Sequence, residues 1–232
     1  MTKPIRLLRR IAGLALVSAL TLTLAGCGKT YTYKYRITVT VRDHDRLVSA
    51  SSVVSVEETT SIRHNQARPK LCGEATPVAL ANGRFVFALL NGLPYDPVLG
   101  QYPWRGSPTW ILLNRLGLPM QWTKEDDSGI VRLGSPSKTI KLQAYEMPEF
   151  VTFKDRNDPE TIERVDPEHP VSTLGEGVKF EGVSLEASSD EVTTGNIKPI
   201  LPWLSSGQEY LDGSQSGQSV RAYHSIQFIN CN

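Results

Sequence analysis

The chain has 232 residues, 40% of them hydrophobic and 21% charged, with a formal net charge of +1 at pH 7. This length suits one β-rich domain, or one domain with a subdomain, and is ample for a hydrophobic core. The charge balance lacks the surplus of lysine and arginine that nucleic-acid binding requires, so no nucleic-acid partner is expected.

The start of the chain has the layout of a secretory signal. Four basic residues lead into an apolar stretch over residues 11–24, which is too short and too unevenly flanked to span a membrane as a helix. Leu24-Ala25-Gly26-Cys27 then resembles the lipobox of bacterial lipoproteins. The resemblance implies cleavage between Gly26 and Cys27 and lipidation of the Cys27 thiol.

Lipidation of Cys27 implies a membrane anchor in the cell envelope. Residue 28 is Gly, whereas an Asp at that position commonly retains Gram-negative lipoproteins in the inner membrane. The resemblance therefore implies the outer membrane, facing the periplasm. The alternative is a free cysteine at the end of an ordinary cleaved signal or in an uncleaved hydrophobic anchor. The expected layout is a signal peptide (1–26), a lipidated N-terminus and short tether (27–30) and a single β-rich domain (31–232).

Cys72 and Cys231 are the two cysteines that remain once Cys27 is acylated. In an oxidising periplasm two such thiols are more often bridged than free, so we expect a Cys72–Cys231 disulfide. It would tie the C-terminus to the first third of the domain. Two buried, unpaired thiols are the alternative, and a catalytic cysteine is less favoured because neither lies in a recognisable nucleophile motif.

Residues 31–41 carry the clearest secondary-structure signal in the chain. Tyr, Ile and Val alternate there with polar residues at every second position, which predicts a half-buried strand. A polar interruption at 42–46 and a β-branched run at 47–56 predict the second strand of an antiparallel hairpin. Since three residues separate Cys27 from Tyr31, we expect the domain within roughly 15 Å of the lipid headgroups.

Shorter signals predict the remaining elements. Residues 108–116 are the best helix candidate, with Pro at the start and Gly117 just beyond the end. Asp158 could cap a brief helix running to Arg164, and Gly182 interrupts the alternation of residues 178–187 as a β-bulge does. Residues 197–203 carry two prolines and predict an edge or a covering loop. Further strands are predicted over 84–90, 130–133, 139–145 and 220–229.

These elements together predict a mainly β fold. We expect an antiparallel β-sandwich-like domain with a short helix and long loops, and an α+β domain is the alternative. Segments 150–167 and 190–204, with the early strand at 51–56 and the Gly73-Glu74-Ala75 turn, resemble a family of uncharacterised proteins from proteobacteria, chiefly the alpha class. That family carries no assigned activity, so the resemblance transfers no catalytic residue.

Aromatic residues in and after the Pro- and Gly-rich stretch 91–108 form the best candidate binding surface. They could stack on sugar rings or dip into lipid headgroups, although loop aromatics more often anchor their own loop to the core. The candidate residues are Tyr95, Tyr102, Trp104 and Trp110.

No pattern predicts a cofactor or a metal site. His44, between Asp43 and Asp45, could be a carboxylate-oriented base or a metal ligand, but a solvated hairpin turn is the commoner structure. His169 lies in a similar turn-like segment, 166–170. Oxygen ligands for Ca²⁺ could come from one acidic turn, which lacks the central Gly and terminal Glu of a calcium loop and is better explained by a helix cap. Its residues are Asp155, Asn157, Asp158 and Glu160.

The sequence favours a non-enzymatic, lipid-anchored envelope protein that binds or supports an envelope protein partner close to the membrane. The short tether and the absence of a nucleophile elbow or a phosphate-binding loop favour this role. One alternative is a periplasmic hydrolase acting on envelope material, with acids drawn from Asp155, Asp158 or Glu74 beneath a 95–120 lid. Another is a phage-derived or host-defence envelope protein.

Overall fold

The computed structural model describes residues 29–59, 69–90, 107–120, 126–205 and 228–231. Within these ranges ten β-strands form two antiparallel sheets, one of six strands and one of four. The predicted mainly β, sandwich-like fold is therefore confirmed. None of the helices in the described ranges is long and apolar enough to cross a membrane.

One long hairpin forms the centre of the larger sheet. β1 (Thr30–Asp43) and β2 (Arg46–Thr59) pair along their whole length, with Thr30 opposite Thr59 at one end and Asp43 opposite Arg46 at the other. The two-residue turn between them holds His44 at φ +54°, a left-handed conformation typical of tight hairpins. The strand order is β10-β3-β2-β1-β9-β6. The other strands are β3 (Lys70–Glu74), β6 (Ile140–Lys141), β9 (Val178–Ala187) and β10 (Ile229–Asn230).

The smaller sheet has the order β4-β5-β7-β8. Its strands are β4 (Thr76–Ala79), β5 (Phe85–Ala88), β7 (Phe150–Phe153) and β8 (Ile162–Val165). The chain crosses between the sheets at Ala75, whose N–H donates to the carbonyl of Phe228 at 2.8 Å. The predicted disulfide joins β3 to the C-terminus beside this crossing, with the Cα atoms of Cys72 and Cys231 4.1 Å apart.

The smaller sheet is buried on both faces. One face packs on the larger sheet, where Tyr33, Tyr35, Val39 and Val41 of β1 belong to one continuous cluster with Phe150. The other face is covered by a second cluster, whose aromatic members are Phe87, Phe153, Trp203 and Phe228. The prediction that residues 197–203 cover a sheet is correct, since Ile197, Leu201 and Trp203 belong to this second cluster.

The helices are short, and local residues set the bounds of the longest one. α1 (Pro108–Leu116) begins at a proline and ends at Gly117, which takes φ 68°, so the predicted helix is confirmed with its bounds. The others are α2 (Ser128–Arg132) and α3 (Val171–Leu174). Single 3₁₀ turns occur at Ala144–Glu146, Pro159–Thr161 and Pro202–Ser205.

One local prediction was wrong, two were partly right and one falls mostly outside the described ranges. Residues 130–133 were expected to form a strand but lie in and just after α2, because Ile130 and Leu133 are three positions apart and both face the core. The strand expected over 139–145 is limited to β6 and leads into a 3₁₀ turn. The brief helix after Asp158 is one 3₁₀ turn, which then becomes β8. Of the strand expected over 220–229, residues 220–227 lie outside the described ranges, and β10 begins at Ile229.

The bulge at Gly182 is confirmed. The register between β1 and β9 shifts between Thr40 and Val41, where Gly182 faces Thr40 and Phe180 faces Val41. Gly182 has φ +155°, and a Cβ on it would lie 2.9 Å from the Cε atom of Lys141. The glycine therefore suits both the bulge and the close approach of the neighbouring strand's lysine.

Candidate functional site

The base of the hairpin, where β1 begins and β2 ends, is the best candidate site among the described residues. The first described residue, Lys29, donates from Nζ to Oδ2 of Asp127 at 2.7 Å, and the Tyr31 hydroxyl donates to the same oxygen at 2.9 Å. Asp127 is the N-cap of α2. Hydrogen bonds from Lys29, and then from Tyr31, lower the pKa of Asp127. The chain is thus held to the body of the domain from its first described residue.

Behind this contact lies a buried polar chain of three side chains. The Thr109 hydroxyl donates to Oε1 of Glu58 at 2.7 Å, and the Tyr33 hydroxyl lies 2.8 Å from the same Thr109 oxygen. A hydroxyl has one proton. Because Thr109 gives its proton to Glu58, Tyr33 is the donor to Thr109. The three residues expose 6%, 0% and 2% of their surface for Glu58, Thr109 and Tyr33 respectively.

Burial controls the protonation of this chain. Loss of solvation raises the pKa of Glu58, and it raises the pKa of Tyr33 well above its usual range. The sequence reasoning missed Glu58 and Thr109. Two signals were available: Tyr33 lies on the core face of the predicted strand, where its hydroxyl needs a partner, and Glu58 lies on that same face of β2, opposite Tyr31.

The predicted aromatic surface can be located only in part. Tyr95, Tyr102 and Trp104 lie outside the described residues, while Trp110 is half-buried in the first turns of α1. Ser107, the N-cap of α1, lies two residues before Thr109 of the buried polar chain.

His44 lies at the opposite end of the hairpin from this site. Its Nδ1 is 2.9 Å from Oδ1 of Asp43, and the other oxygen of that carboxylate accepts the N–H of Ala81. The Ala81 hydrogen bond is the main cause that lowers the pKa of Asp43. His44 itself is mostly exposed, and its ring covers Gly177. The arrangement matches the predicted hairpin turn and fastens two loops to the tip.

The acidic turn after β7 organises its own backbone. Oδ1 of Asp158 accepts the N–H of Glu160 at 3.0 Å, which confirms the predicted cap, and Oδ1 of Asp155 accepts the N–H of Asn157 at 2.9 Å. His169 belongs to a similar turn in which Asp166 accepts the N–H of Glu168 and contacts the ring. Asp166, Glu168 and His169 are all exposed, with one ligand atom from each within 4.8 Å of the others.

Glu74, the third acid considered for catalysis, is an internal anchor. It is 2% exposed, and its two carboxylate oxygens accept the backbone N–H groups of Gly195, Asn196 and Ile197. The geometry therefore assigns Glu74 to structure, not to substrate.

No family model matches the chain, and no curated protein and no solved structure is detectably similar to it.

Proposed function

We propose that the chain is a lipid-anchored envelope protein in which the β domain is a non-enzymatic binding or structural module next to the membrane. Cys27 carries the lipid, and the outer membrane facing the periplasm is the proposed location. The aromatic residues Tyr95, Tyr102, Trp104 and Trp110 contact an envelope protein partner.

The contact of Lys29 and Tyr31 with Asp127 is the observation that best supports this proposal. Lys29 is two positions after Cys27, and β1 begins at the next residue, Thr30. A protein that works far from its anchor needs a long flexible linker. Here the fold begins at once, so an acyl chain on Cys27 would keep the hairpin base facing the lipid headgroups.

Three described elements begin or end at that same base: β2 ends at Thr59, and α1 and α2 begin after their N-caps, Ser107 and Asp127. Function is often concentrated in loops that a rigid scaffold positions. A partner bound there would lie between the domain and the membrane.

The hydrolase alternative receives less support from the described residues. Glu74 is enclosed by its loop, and Asp155 and Asp158 accept hydrogen bonds from their own turns. A general acid or base must instead reach a substrate proton. Glu58 has a raised pKa, as an acid catalyst often does, but its described partner is the buried Thr109 hydroxyl.

Two substitutions test the anchor. Cys27→Ser should release the protein from membranes on fractionation, whereas Gly28→Asp keeps the lipidated cysteine and should move the protein from the outer to the inner membrane. Sedimentation of Cys27→Ser with membranes, in the same proportion as the wild type, would exclude the anchor.

Photo-crosslinking in cells tests the binding role. Probes at Tyr102 and Trp104 should give one abundant protein adduct, and a matched probe at Tyr145 should not. Tyr145 is 64% exposed and follows β6, which pairs with Ser184 and Leu185 of β9 rather than with the hairpin. Adducts to lipid or glycan alone, or no adduct, would contradict a protein-binding module.

A further inference from the structure

The larger sheet has an open groove on its outer face. Its strands turn alternate side chains away from the smaller sheet, and the groove lies over these outward side chains. Most of the groove is lined by hydroxyl groups and charges rather than by apolar side chains. Among the lining residues are Thr38, Thr40, Lys141, Glu181, Gly182 and Ser184.

Strand pairing arranges the outward side chains in two rows. Side chains of directly paired residues lie on the same face of a sheet, and neighbouring strands are about 4.8 Å apart. The first row crosses β6, β9, β1 and β2, so it spans about 14 Å. The second row has a glycine on β9, which leaves the bottom of the groove open. The rows are Lys141, Ser184, Thr38 and Ser51, and Gly182, Thr40 and Ser49.

The hydroxyl groups of the rows keep hydrogen-bonding capacity for a ligand. Oγ1 of Thr38 lies 2.8 Å from Oγ of Ser51, and Oγ1 of Thr40 lies 2.9 Å from Oγ of Ser49. Each pair uses one of its two protons, so one proton in each pair stays available. The Ser184 hydroxyl has no partner among the described residues. A ligand that carries hydroxyl groups itself would find both donors and acceptors here.

The end of the groove nearer the hairpin tip has a surplus of positive charge. Nε of Arg42 donates to Oε1 of Glu181 at 2.7 Å. Lys179 faces Arg42 in the strand register, and Lys141 leans over Gly182, where an added Cβ would lie 2.9 Å from its Cε atom. The Arg42 hydrogen bond, and then the charges of Lys179 and Lys141, lower the pKa of Glu181. Three cations therefore surround one carboxylate, and neither lysine forms an ion pair within the described ranges.

The other end of the groove is balanced in charge. Arg36 forms ion pairs with Glu186, at 3.1 Å, and with Asp190. Lys34 donates from Nζ to the carbonyl of Ser189 at 2.9 Å and to that of Asp190. Two cations thus accompany two carboxylates there. The surplus of positive charge is confined to the end nearer the tip.

We propose that this groove binds a glycan whose sugar rings carry carboxylate groups. The carboxylates lie between Lys141 and Lys179, where the surplus positive charge is, and the sugar hydroxyls bond to the two rows. Charge-assisted hydrogen bonds are stronger than neutral ones, so the carboxylates supply most of the affinity and the rows supply the orientation. This site goes beyond the proposed protein-binding role, and it depends neither on Cys27 nor on the aromatic residues.

Other ligands fit the groove less well. A peptide is usually held by a free strand edge or an apolar pocket, whereas Thr38 and Thr40 lie on β1, which pairs with a strand on each side. Single-stranded nucleic acid stacks its bases on aromatic rings, and no described aromatic residue lines the groove. Lipid headgroups at the proposed anchor are distant, because Thr40 is about 33 Å along β1 from Thr30 at the hairpin base.

Fluorescence polarisation of a labelled oligogalacturonate, titrated with the purified full chain, measures the binding. This probe carries a carboxylate on each ring, and its methyl-esterified form keeps the ring hydroxyls but has no charge. The wild type should bind the acid form about tenfold more tightly than the ester. Added salt should weaken binding of the acid form and not that of the ester, because ions screen exposed charges.

Substitutions in the groove test the position of the site. Lys141→Gln and Lys179→Gln should each weaken binding of the acid form about fivefold and leave binding of the ester unchanged. Lys198→Gln removes the same charge from an exposed position in the loop that covers the second core cluster, and it should change neither. Ser184→Ala should weaken binding of both forms, because it removes a hydroxyl and no charge. The melting temperature of each variant should equal that of the wild type.

Several results would overturn this proposal. They are equal binding of the two forms, no binding of the acid form, and equal effects of Lys141→Gln and Lys198→Gln. Polyphosphate that displaces the probe more strongly than unlabelled oligogalacturonate would also overturn it, because the groove would then be a phosphate site. None of these results bears on crosslinking at Tyr102 and Trp104, so the glycan site and the protein-binding role fail separately.

Discussion

Glu74 accepts the backbone N–H of Gly195 at 2.7 Å, across 121 positions of sequence. The same carboxylate accepts the N–H groups of Asn196 and Ile197, and it lies at the end of β3, where the chain leaves the larger sheet. One buried carboxyl group thus joins the crossing between the sheets to the loop that covers the second core cluster.

Removing this carboxylate should destabilise the fold. Glu74→Ala should lower the free energy of unfolding by about 3 kcal/mol, because three backbone N–H groups lose their acceptor and each unsatisfied donor costs about 1 kcal/mol at the low end of the usual range. Glu74→Gln should cost less, since one oxygen remains. Urea unfolding followed by tryptophan fluorescence gives the measurement. Glu160→Ala, at an exposed position, should change it by less than about 0.5 kcal/mol, and an equal effect of both variants would contradict the anchor role.

The Cys72–Cys231 disulfide should contribute more than any single side chain. It closes a loop with a sequence separation of 159, for which the loss of unfolded-state entropy corresponds to at most about 5 kcal/mol. Reduction should lower the melting temperature and change the fluorescence of Trp203, whose ring lies 6.0 Å from Phe228 beside β10.

Two further experiments test whether Cys72 and Cys231 form a disulfide. Cys231→Ser should melt like the double variant with Cys72→Ser, because each removes the same bond. Two thiols that react freely in the unreduced, denatured wild type would show that the bond is absent.

The sequence predicted the elements with a strong local period and missed those decided by distant contacts. β1, β2 and α1 were predictable because alternation, a proline start and a glycine end are local signals. Residues 130–133 were too short to show whether their period was that of a strand or a helix. Glu74 remained a candidate catalytic acid because its structural role depends on the backbone N–H groups of residues 195–197, which are distant in sequence.

The candidate site was only partly predictable from the sequence. The short distance between the domain and Cys27 followed from the three residues that separate Cys27 from Tyr31. The contact of Lys29 with Asp127 joins residues 98 positions apart, and Thr109 reaches Glu58 across 51 positions. Such pairings depend on how α1 and α2 pack on the sheet, which no single-sequence pattern specifies.

Glu58 should make stability depend on pH. Burial raises its pKa above the ordinary value for a glutamate, so the folded state holds the proton more tightly than the unfolded state does. The stability that Glu58 contributes is therefore fully present below its pKa in the unfolded state and is lost as the pH rises through its pKa in the folded state. Glu58→Gln, which keeps an acceptor for Thr109, should be more stable than the wild type at pH 7 and equal to it near pH 3.

Glu57, the neighbour of Glu58 in sequence, provides the control for the pH dependence. Glu57 is exposed in part and pairs with Lys70 at 3.0 Å on the surface, so Glu57→Gln should change stability little at either pH. Melting temperatures of the three proteins from pH 3 to pH 8 are the measurement. A Glu58→Gln variant less stable than the wild type at pH 7 would show that the charged carboxylate is stabilised, contrary to the effect of its burial.

The contact of Asp127 with Lys29 and Tyr31 should order the chain start without controlling global stability. Exposed ion pairs contribute little to unfolding, so Asp127→Asn should leave the melting temperature almost unchanged. Hydrogen exchange at residues 29–31 should become faster, because the side chain that holds them loses its charge. Asp166→Asn, at an exposed turn far along the chain, should leave exchange at residues 29–31 unchanged. If Asp127→Asn also leaves that exchange unchanged, the pairing of β1 with residues 57–59 is sufficient to order residues 29–31. The contact with Asp127 would then not contribute to the order of the chain start.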